Sequence, residues 1–223
     1  MDREQLVKLV TEAVMAQLAL EKEEREQSAK GIPIGVSNRH VHLSQADLNT
    51  LFGSDAKLST FRELSQPGQF AAEQKVTLVG PKGVIENVRV LGPVRKATQV
   101  EISVSDCFKL GVRAPIRSSG DLAGSAGVTL VGPKGSITLK EGVIIAERHI
   151  HLDPASAAAF GVKDGDRVSV RTTGSRALTF SEVLVRVSDK YRPEMHVDID
   201  EANAALLKNG DMVEIVDENL CSM

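Results

Sequence analysis

The stretch VTLVGPKGVI, residues 76–85, is nearly repeated as VTLVGPKGSI, residues 128–137. In each copy a Gly-Pro-Lys-Gly segment separates two runs rich in β-branched residues. Proline fixes its own φ angle and glycine gives the backbone conformational freedom at the end of the turn, so the pattern predicts two strands joined by a tight turn. A second pair, VKDGDRVSV (162–170) and LKNGDMVEI (207–215), predicts a Gly-Asp turn that leads into an alternating strand. These matched units predict a mainly β protein built from two similar small β-barrels with few helices.

The composition of the chain narrows the class of protein. With 223 residues, the chain can bury a substantial core. A formal charge of −3, an aromatic content of 3% and the absence of tryptophan argue against binding to nucleic acid. Cys107 and Cys221 are too few for a disulfide scaffold, and no apolar run or signal peptide indicates a membrane or secreted protein. The sequence therefore predicts a soluble protein in a reducing cytoplasm.

The N-terminal segment has a different pattern from the rest of the chain. Residues 1–20 place apolar side chains on one helical stripe with charged side chains largely opposite, which predicts an amphipathic helix. Residues 21–31 are polar, and they either prolong the helix or form a solvated linker. Two interpretations stay open: the helix docks on its own domain, or its apolar stripe binds the surface of a partner.

Four of the five histidines lie in two similar stretches, SNRHVHLS (37–44) and AERHIHLD (146–153). Alternate side chains of a strand leave the same face, so the two imidazoles of each His-x-His can converge on one ion. After each pair, a capping residue, Ser44 or Asp153, begins a short predicted helix that ends at a glycine. One His-x-His pair alone is more often structural than metal-binding, but two copies in the same local context favour a metal.

Each pair lacks the third protein ligand that is usual for a catalytic zinc ion. His196, in EMHVDID (194–200), lies on the polar face of a predicted strand and is one candidate. Glu101, in TQVEISVSD (98–106), is another, because a carboxylate would complement neutral imidazoles, although its position taken alone favours a solvated strand residue. Cys107 shares the strand face of Glu101, which raises the hypothesis of a nucleophile; a small buried side chain is the favoured interpretation.

Several basic residues lie near these motifs. Arg95 precedes Glu101, and its forked guanidinium suits a phosphate or carboxylate, although the sequence alone favours an ordinary surface arginine. Arg39 and Arg148 precede the two His-x-His pairs and would face away from the histidines, so we expect them to pair with carboxylates or backbone carbonyls. The lysines of the Gly-Pro-Lys-Gly turns do not match a phosphate-binding loop, which argues against a phosphate role for these turns.

Taken together, four motifs of this chain resemble the phosphate propanoyltransferase family, the PduL-type phosphotransacylases of bacterial microcompartments. The motifs follow one another with similar spacing from about residue 32 to the C-terminus. They are IPIGVSNRHVHLS (32–44), LGPVRKATQVEIS (91–103), IIAERHIHLDPASAAAFGVKDGDRVSV (144–170) and MHVDIDEANAA (195–205). None of the candidate metal ligands departs from the pattern of the family.

The resemblance implies a fold and a site. It implies two tandem, interleaved β-barrels, the first from residues 32–43 and 145–223 and the second from residues 44–144, with short capping helices. It also implies two zinc ions in the cleft between the barrels, with cobalt, nickel or iron as possible substitutes. The implied ligand sets are His40, His42 and Glu101 for one ion and His149, His151 and His196 for the other. Arg95 would bind phosphate.

The implied activity is the reversible conversion of a short-chain acyl-CoA, propanoyl-CoA or acetyl-CoA, and phosphate into acyl phosphate and coenzyme A. The resemblance also implies that residues 1–20 are an encapsulation peptide that binds shell or core proteins, that the enzyme is a homodimer, and that it resides in a microcompartment lumen within the cytoplasm, with propanediol degradation as the expected setting. Two alternatives stay open. One is a binuclear metal-dependent hydrolase, and the other is a non-enzymatic metal-binding scaffold adaptor.

Overall fold

The structure of the protein is a computed structural model that describes residues 31–216. The predicted helix over residues 1–20 and nearly all of the predicted linker over residues 21–31 lie outside the described residues. The described chain contains fourteen strands and four short helices. The strands are β1 Ile32–Ser37, β2 His40–His42, β3 Thr60–Glu63, β4 Phe70–Val79, β5 Val84–Gly92, β6 Gln99–Glu101, β7 Ile116–Arg117, β8 Ala126–Val131, β9 Ser136–Ala146, β10 His149–Leu152, β11 Arg167–Arg171, β12 Thr179–Val187, β13 Glu194–Asp198 and β14 Met212–Val216. The helices are α1 Gln45–Phe52, α2 Val104–Leu110, α3 Pro154–Phe160 and α4 Ile199–Ala205.

Strand pairing closes two barrels of six strands each. In the C-terminal barrel the strand order is β1-β13-β10-β12-β11-β14. In the middle barrel β4, β5, β2, β6, β9 and β8 pair in sequence and β8 returns to β4, while β3 and β7 add to β4 and β9. The mainly β fold with two barrels and short helices is therefore confirmed.

The chain crosses between the barrels at positions that differ from the predicted boundaries. β1 pairs with β13 and β14 of the C-terminal barrel, as expected. β2, however, pairs with β5 and β6, so the first His-x-His belongs to the middle barrel, and the assignment of residues 32–43 to one barrel is wrong. The crossings lie at residues 38–39 and 147–148, immediately before each His-x-His. The reason is packing, because Val41 is fully buried in the middle core.

Each barrel has its own hydrophobic core. Val41, between the first two histidines, is buried in the middle core, and Ile150, between the second two, is buried in the C-terminal core. Burying one such side chain stabilises a protein by about 1.5–3 kcal/mol. The residue between the histidines therefore fixes the rotation of each strand, and the imidazoles leave from its other face.

The repeated Gly-Pro-Lys-Gly turns support the ends of helices. The backbone N–H of Lys82 donates to the carbonyl of Leu110 at the end of α2, and that of Lys134 donates to the carbonyl of Leu51 in the last turn of α1, each at 3.0 Å. These bonds satisfy carbonyls that a helix end leaves without intrahelical partners. The turns therefore have a structural role, in agreement with the argument against phosphate binding.

Replacing Gly132 by alanine is expected to destabilise the protein by about 1–3 kcal/mol, the usual cost of forcing extra volume into a packed site. A Cβ atom at Gly132 would lie 2.5 Å from the carbonyl oxygen of Leu51, so helix and turn must separate. Urea unfolding followed by circular dichroism measures the effect. Lys134→Ala, at an exposed position of the same turn, is the control and should leave stability nearly unchanged. Equal stability of the two variants would contradict the close approach.

Candidate active site

The first ligand cluster joins β2 to β6. His40 lies opposite Glu101 in the antiparallel register, and its Nε2 is 3.3 Å from a carboxylate oxygen of Glu101. The ring centroids of His40 and His42 are 5.1 Å apart. Each of the three residues offers one ligand atom within 4.8 Å of the other two, a spacing that one ion can bridge.

The second cluster lies on the outer face of the C-terminal barrel. His149 on β10 is paired with His196 on β13, and His151 follows on the same face. The ring centroid of His149 is 4.7 Å from that of His151 and 5.0 Å from that of His196. These three residues also place one ligand atom each within 4.8 Å of the others. The six candidate residues thus lie together in the two groups that the resemblance to the family implies.

The two clusters are built by the same local rule. Glu101 and His196 each stand two residues before the N-cap of a short helix, Ser103 of α2 and Asp198 of α4. Both caps form a capping box, in which cap and third helical residue bond each other's backbone N–H. A strand that ends at a fixed cap holds its last outward side chain in one direction. Glu101 and His196 therefore occupy equivalent positions in the two barrels.

The arginines before each His-x-His bind those same helices. Arg39 Nε donates to both carboxylate oxygens of Asp106, at 2.9 and 2.8 Å, and Asp106 is the third residue of α2. Arg148 Nη1 donates to Glu201, the third residue of α4, at 2.9 Å, and its Nε donates to the carbonyl of Ser181. The predicted pairing of both arginines with carboxylates or carbonyls is confirmed. Each arginine–carboxylate pair thus connects a His-x-His strand to the helix that follows Glu101 or His196.

The imidazoles differ in their affinity for protons. Burial, strengthened by repulsion between neighbouring rings, lowers the pKa of His149 to about 4, that of His151 to about 3 and that of His42 to about 2. Burial also opposes charge on His40 and Glu101, but their mutual attraction outweighs it, so the pKa of His40 is raised and that of Glu101 is lowered. His149 and His151 of the second cluster are therefore neutral at pH 7, the protonation state in which imidazole binds metals.

The metal-free protein is expected to lose stability as the pH falls from 6.5 towards 4, partly through His149. In the unfolded chain His149 has its ordinary pKa of 6.5, so between pH 6.5 and 4 the unfolded chain binds a proton that the folded protein does not. The stability that neutral His149 contributes to the folded protein is therefore fully present only above pH 6.5. Urea unfolding at about pH 7 and about pH 5 measures the loss. His149→Gln should lose less stability than the unsubstituted protein between these two values. An equal or larger loss in the variant would contradict the lowered pKa.

A cleft of 980 Å³ lies between the barrels, and all six candidate ligands line it. Arg95 also lines the cleft, in the loop after β5, where its backbone N–H donates to the carbonyl of Leu43 at 2.9 Å. Its Nη1 donates to the hydroxyl of Ser119 at 3.0 Å, and the same hydroxyl donates to Glu101 at 3.2 Å. The buried side chain of Gln99 donates to both Ser119 and Glu101. One network therefore holds Arg95 beside the carboxylate of the first cluster.

The second cluster has a buried carboxylate that the sequence did not reveal. Glu194 lies 2.9 Å from Nε2 of His196 and accepts hydrogen bonds from Ser65 and Gln66 of the middle barrel. Burial opposes its charge, but His196 and these bonds lower the pKa of Glu194 to about 2. A Cβ atom at Gly35 would lie 2.8 Å from the carboxyl carbon of Glu194, so glycine makes room for it. Glu194 thus links the barrels beside the second cluster.

Other functional residues were also missed by the sequence analysis. Tyr191 stacks on the ring of His151 with centroids 4.1 Å apart. Gln99 could have been found, because it shares the strand face of Glu101 two residues away. Ser119 and Tyr191 lie in loops, where strand periodicity gives no signal. Cys107, in contrast, packs against the middle core and is not among the residues that line the cleft; burial raises the pKa of its thiol.

The two clusters are suited to a transition metal. The Nδ1 atom of His151 is buried and has no hydrogen-bond partner within residues 31–216. An unpaired buried nitrogen is costly unless something binds it, and metal coordination is the usual role of a neutral imidazole in such a group. Imidazole and carboxylate ligands fit zinc, and they also accept cobalt, nickel or iron.

No helix in the described part of the chain is long and apolar enough to cross a membrane.

The fold and the site define a class of protein. It is a double-β-barrel protein with two clusters of candidate metal ligands and an arginine in one cleft.

Comparison with known proteins identifies the family. The family model described as phosphate propanoyltransferase matches residues 33–208. The phosphate propanoyltransferase of Thermotoga maritima is 59% identical over 188 residues, which cover 84% of this chain and 90% of that protein. Those of Rhodopseudomonas palustris and Priestia megaterium are 52% and 50% identical, covering 82% and 92% of this chain and 81% and 94% of the relatives. The chain belongs to the phosphate propanoyltransferase family, and it is an acyltransferase.

Proposed function

We propose that the protein transfers a short acyl group between coenzyme A and phosphate, with propanoyl-CoA or acetyl-CoA as the substrate. One observation carries the proposal: in a member of this family, two ligand clusters and Arg95 all line a single cleft. The cleft can therefore receive a thioester and an anion together. The reaction is acyl-CoA + phosphate ⇌ acyl phosphate + CoA.

We further propose that His40, His42 and Glu101 hold one zinc ion and that His149, His151 and His196 hold a second, with cobalt, nickel or iron as possible substitutes. The unpaired nitrogen of His151 supports this assignment. Bound zinc would supply a Lewis acid for the thioester carbonyl and an affinity for the thiolate that leaves.

Arg95 is the proposed phosphate-binding and catalytic residue. Its guanidinium lines the cleft beside Glu101, and Ser119 occupies one of its N–H groups, so others can donate to phosphate oxygens. In the transfer, a phosphate oxygen forms a bond to the acyl carbon, the carbon–sulfur bond breaks, and its electron pair leaves with sulfur as the thiolate. Arg95 neutralises the phosphate charge and orients the attacking oxygen, and such positioning supplies a large part of a rate enhancement.

We propose direct attack by phosphate, with no acyl-enzyme intermediate. Cys107 packs against the middle core and does not line the cleft, and burial raises the pKa of its thiol, which disfavours the nucleophilic thiolate. Acylation of Cys107 in a single turnover, detected by mass spectrometry, would contradict this version of the mechanism.

We also propose that the enzyme acts as a homodimer in a microcompartment lumen within the cytoplasm. The amphipathic pattern of residues 1–20 supports a helix that binds shell or core proteins. Exposed apolar side chains of Val104 and Phe108 on α2 support contact with a second copy.

Deletion of residues 1–20 should abolish co-purification with the shell or core proteins of the microcompartment while transfer activity remains. Unchanged co-purification would contradict the encapsulation role.

The test of the activity is a thiol-release assay with and without inorganic phosphate across several acyl-CoA chain lengths. The proposal predicts thiol release that requires phosphate and yields acyl phosphate. Phosphate-independent release with free acid as product would instead indicate a binuclear hydrolase. No release from any acyl-CoA would favour a metal-binding scaffold adaptor.

A further inference from the structure

A second arginine faces the cleft from the opposite barrel. Arg186 on β12 is the register partner of His151 on β10, so both side chains leave the outer face of the C-terminal barrel side by side. Arg186 is half-buried and lines the same cleft as Arg95. The two arginines therefore approach one space from the two barrels.

Arg186 has no hydrogen-bond or ion-pair partner among residues 31–216. Three other arginines of the C-terminal barrel differ in this respect. Arg148 is paired with Glu201, Arg167 with Glu147, and Arg171 with Glu214. A partly buried guanidinium without a partner loses hydration and has no hydrogen bonds or ion pair to compensate for that loss. Binding of an anion beside Arg186 would therefore be favourable.

A second positive charge near Arg186 makes the binding of an anion in the cleft more favourable. Arg186 lowers the pKa of Arg95, where burial is the largest cause and Glu101 acts in the opposite direction. Arg186 and Arg95 are therefore close enough to repel each other, and a single anion between them would relieve that repulsion.

The fold itself does not require an arginine at this position. In the middle barrel β2 and β5 form the equivalent parallel pair, with His40 opposite Arg89. Continuing that register by two residues places Leu91 opposite His42, where the C-terminal barrel has Arg186 opposite His151. An apolar side chain therefore fits at the equivalent position, so the strand pairing does not explain why residue 186 is charged.

We propose that Arg186 is a second phosphate-binding residue, which holds the phosphoryl group of inorganic phosphate or acyl phosphate jointly with Arg95. The inference rests on the proposed transfer of acyl groups to phosphate. It adds that the phosphate bridges the two barrels, with one guanidinium from each. The phosphates of coenzyme A are the other source of the same chemistry, and the experiment separates the two.

Steady-state kinetics of Arg186→Gln and Arg186→Lys test the proposal. Losing charge-assisted hydrogen bonds should raise the KM for inorganic phosphate about 10- to 100-fold in the glutamine variant. The lysine variant should recover part of the loss, and the KM for acyl-CoA should change less than about threefold. Arg171→Gln, at an exposed position of the same barrel, is the matched control and should leave both constants unchanged. Unchanged phosphate KM in Arg186→Gln would overturn the proposal.

Two further arms identify the anion and separate this proposal from the activity itself. If Arg186 binds coenzyme A, the loss appears in the KM for acyl-CoA and disappears with an acyl-pantetheine thioester, which carries none of the phosphates of coenzyme A; this result overturns the proposal. Isothermal titration of the purified, metal-containing protein with inorganic phosphate measures binding without turnover. Weaker phosphate binding in Arg186→Gln supports the proposal even if the unsubstituted protein fails the thiol-release assay, and equal binding overturns it.

Discussion

Replacing His149 by alanine is expected to lower phosphate-dependent thiol release at least about 1,000-fold. The residue supplies one of three ligand atoms within 4.8 Å of one another, so its loss leaves two protein ligands where a catalytic site usually has three. Loss of a single electrostatic contact to the transition state already costs about 100- to 1,000-fold, and loss of a metal removes several such contacts. His40→Ala should have an effect of similar size through the first cluster.

The protein itself offers a control for folding. His149 leaves the outer face of the C-terminal barrel, whereas Ile150 fills its core, so the alanine variant should keep the circular dichroism spectrum of the barrels. Elemental analysis should show loss of metal from the second cluster. A folded His149→Ala protein that retains both metal and full activity would reject the assigned ligand set.

Replacing Arg95 by alanine is the second change with a large expected effect, a loss in kcat/KM for phosphate of about 100- to 1,000-fold. The guanidinium would no longer neutralise the phosphate or orient its attacking oxygen. Arg95→Lys keeps the charge but loses the forked donor geometry, and it should recover only part of the activity. Steady-state kinetics with varied phosphate at saturating acyl-CoA measures both variants.

Arg117→Ala is the control for this experiment, because the side chain of Arg117 is exposed and, among residues 31–216, forms a surface ion pair with Asp121 alone. Its activity should be unchanged. Ser119 and Gln99 also hold Glu101, so metal content must be measured in each Arg95 variant. A variant with full metal content and an unchanged kcat/KM for phosphate would contradict the role of Arg95.

The features that the sequence predicted correctly are those that local periodicity encodes. Alternation along a strand places His40 and His42 on one face and Val41 on the other, whichever strand lies beside them. The helix caps at Ser44 and Asp153 also depend only on neighbouring residues. The resemblance to the family added the third ligands and Arg95, which periodicity alone left ambiguous.

Features that depend on pairing between distant segments were harder to predict. The three residues of β2 fit either barrel by pattern, and only their packing against β5 and β6 decides between them. Arg186 and Glu194 become notable because they flank His151 on adjacent strands, a register that no local motif specifies. Glu101 and His196 do share a readable signal, since each precedes a helix cap by two residues.

Metal content measured together with activity tests the central claim most directly. Two ligand clusters in one cleft predict two transition-metal ions per chain in the purified active protein. Removing them with a chelator should abolish phosphate-dependent thiol release in proportion to the metal lost, and adding zinc should restore it. Full activity in a preparation from which elemental analysis finds the metal removed would contradict the account.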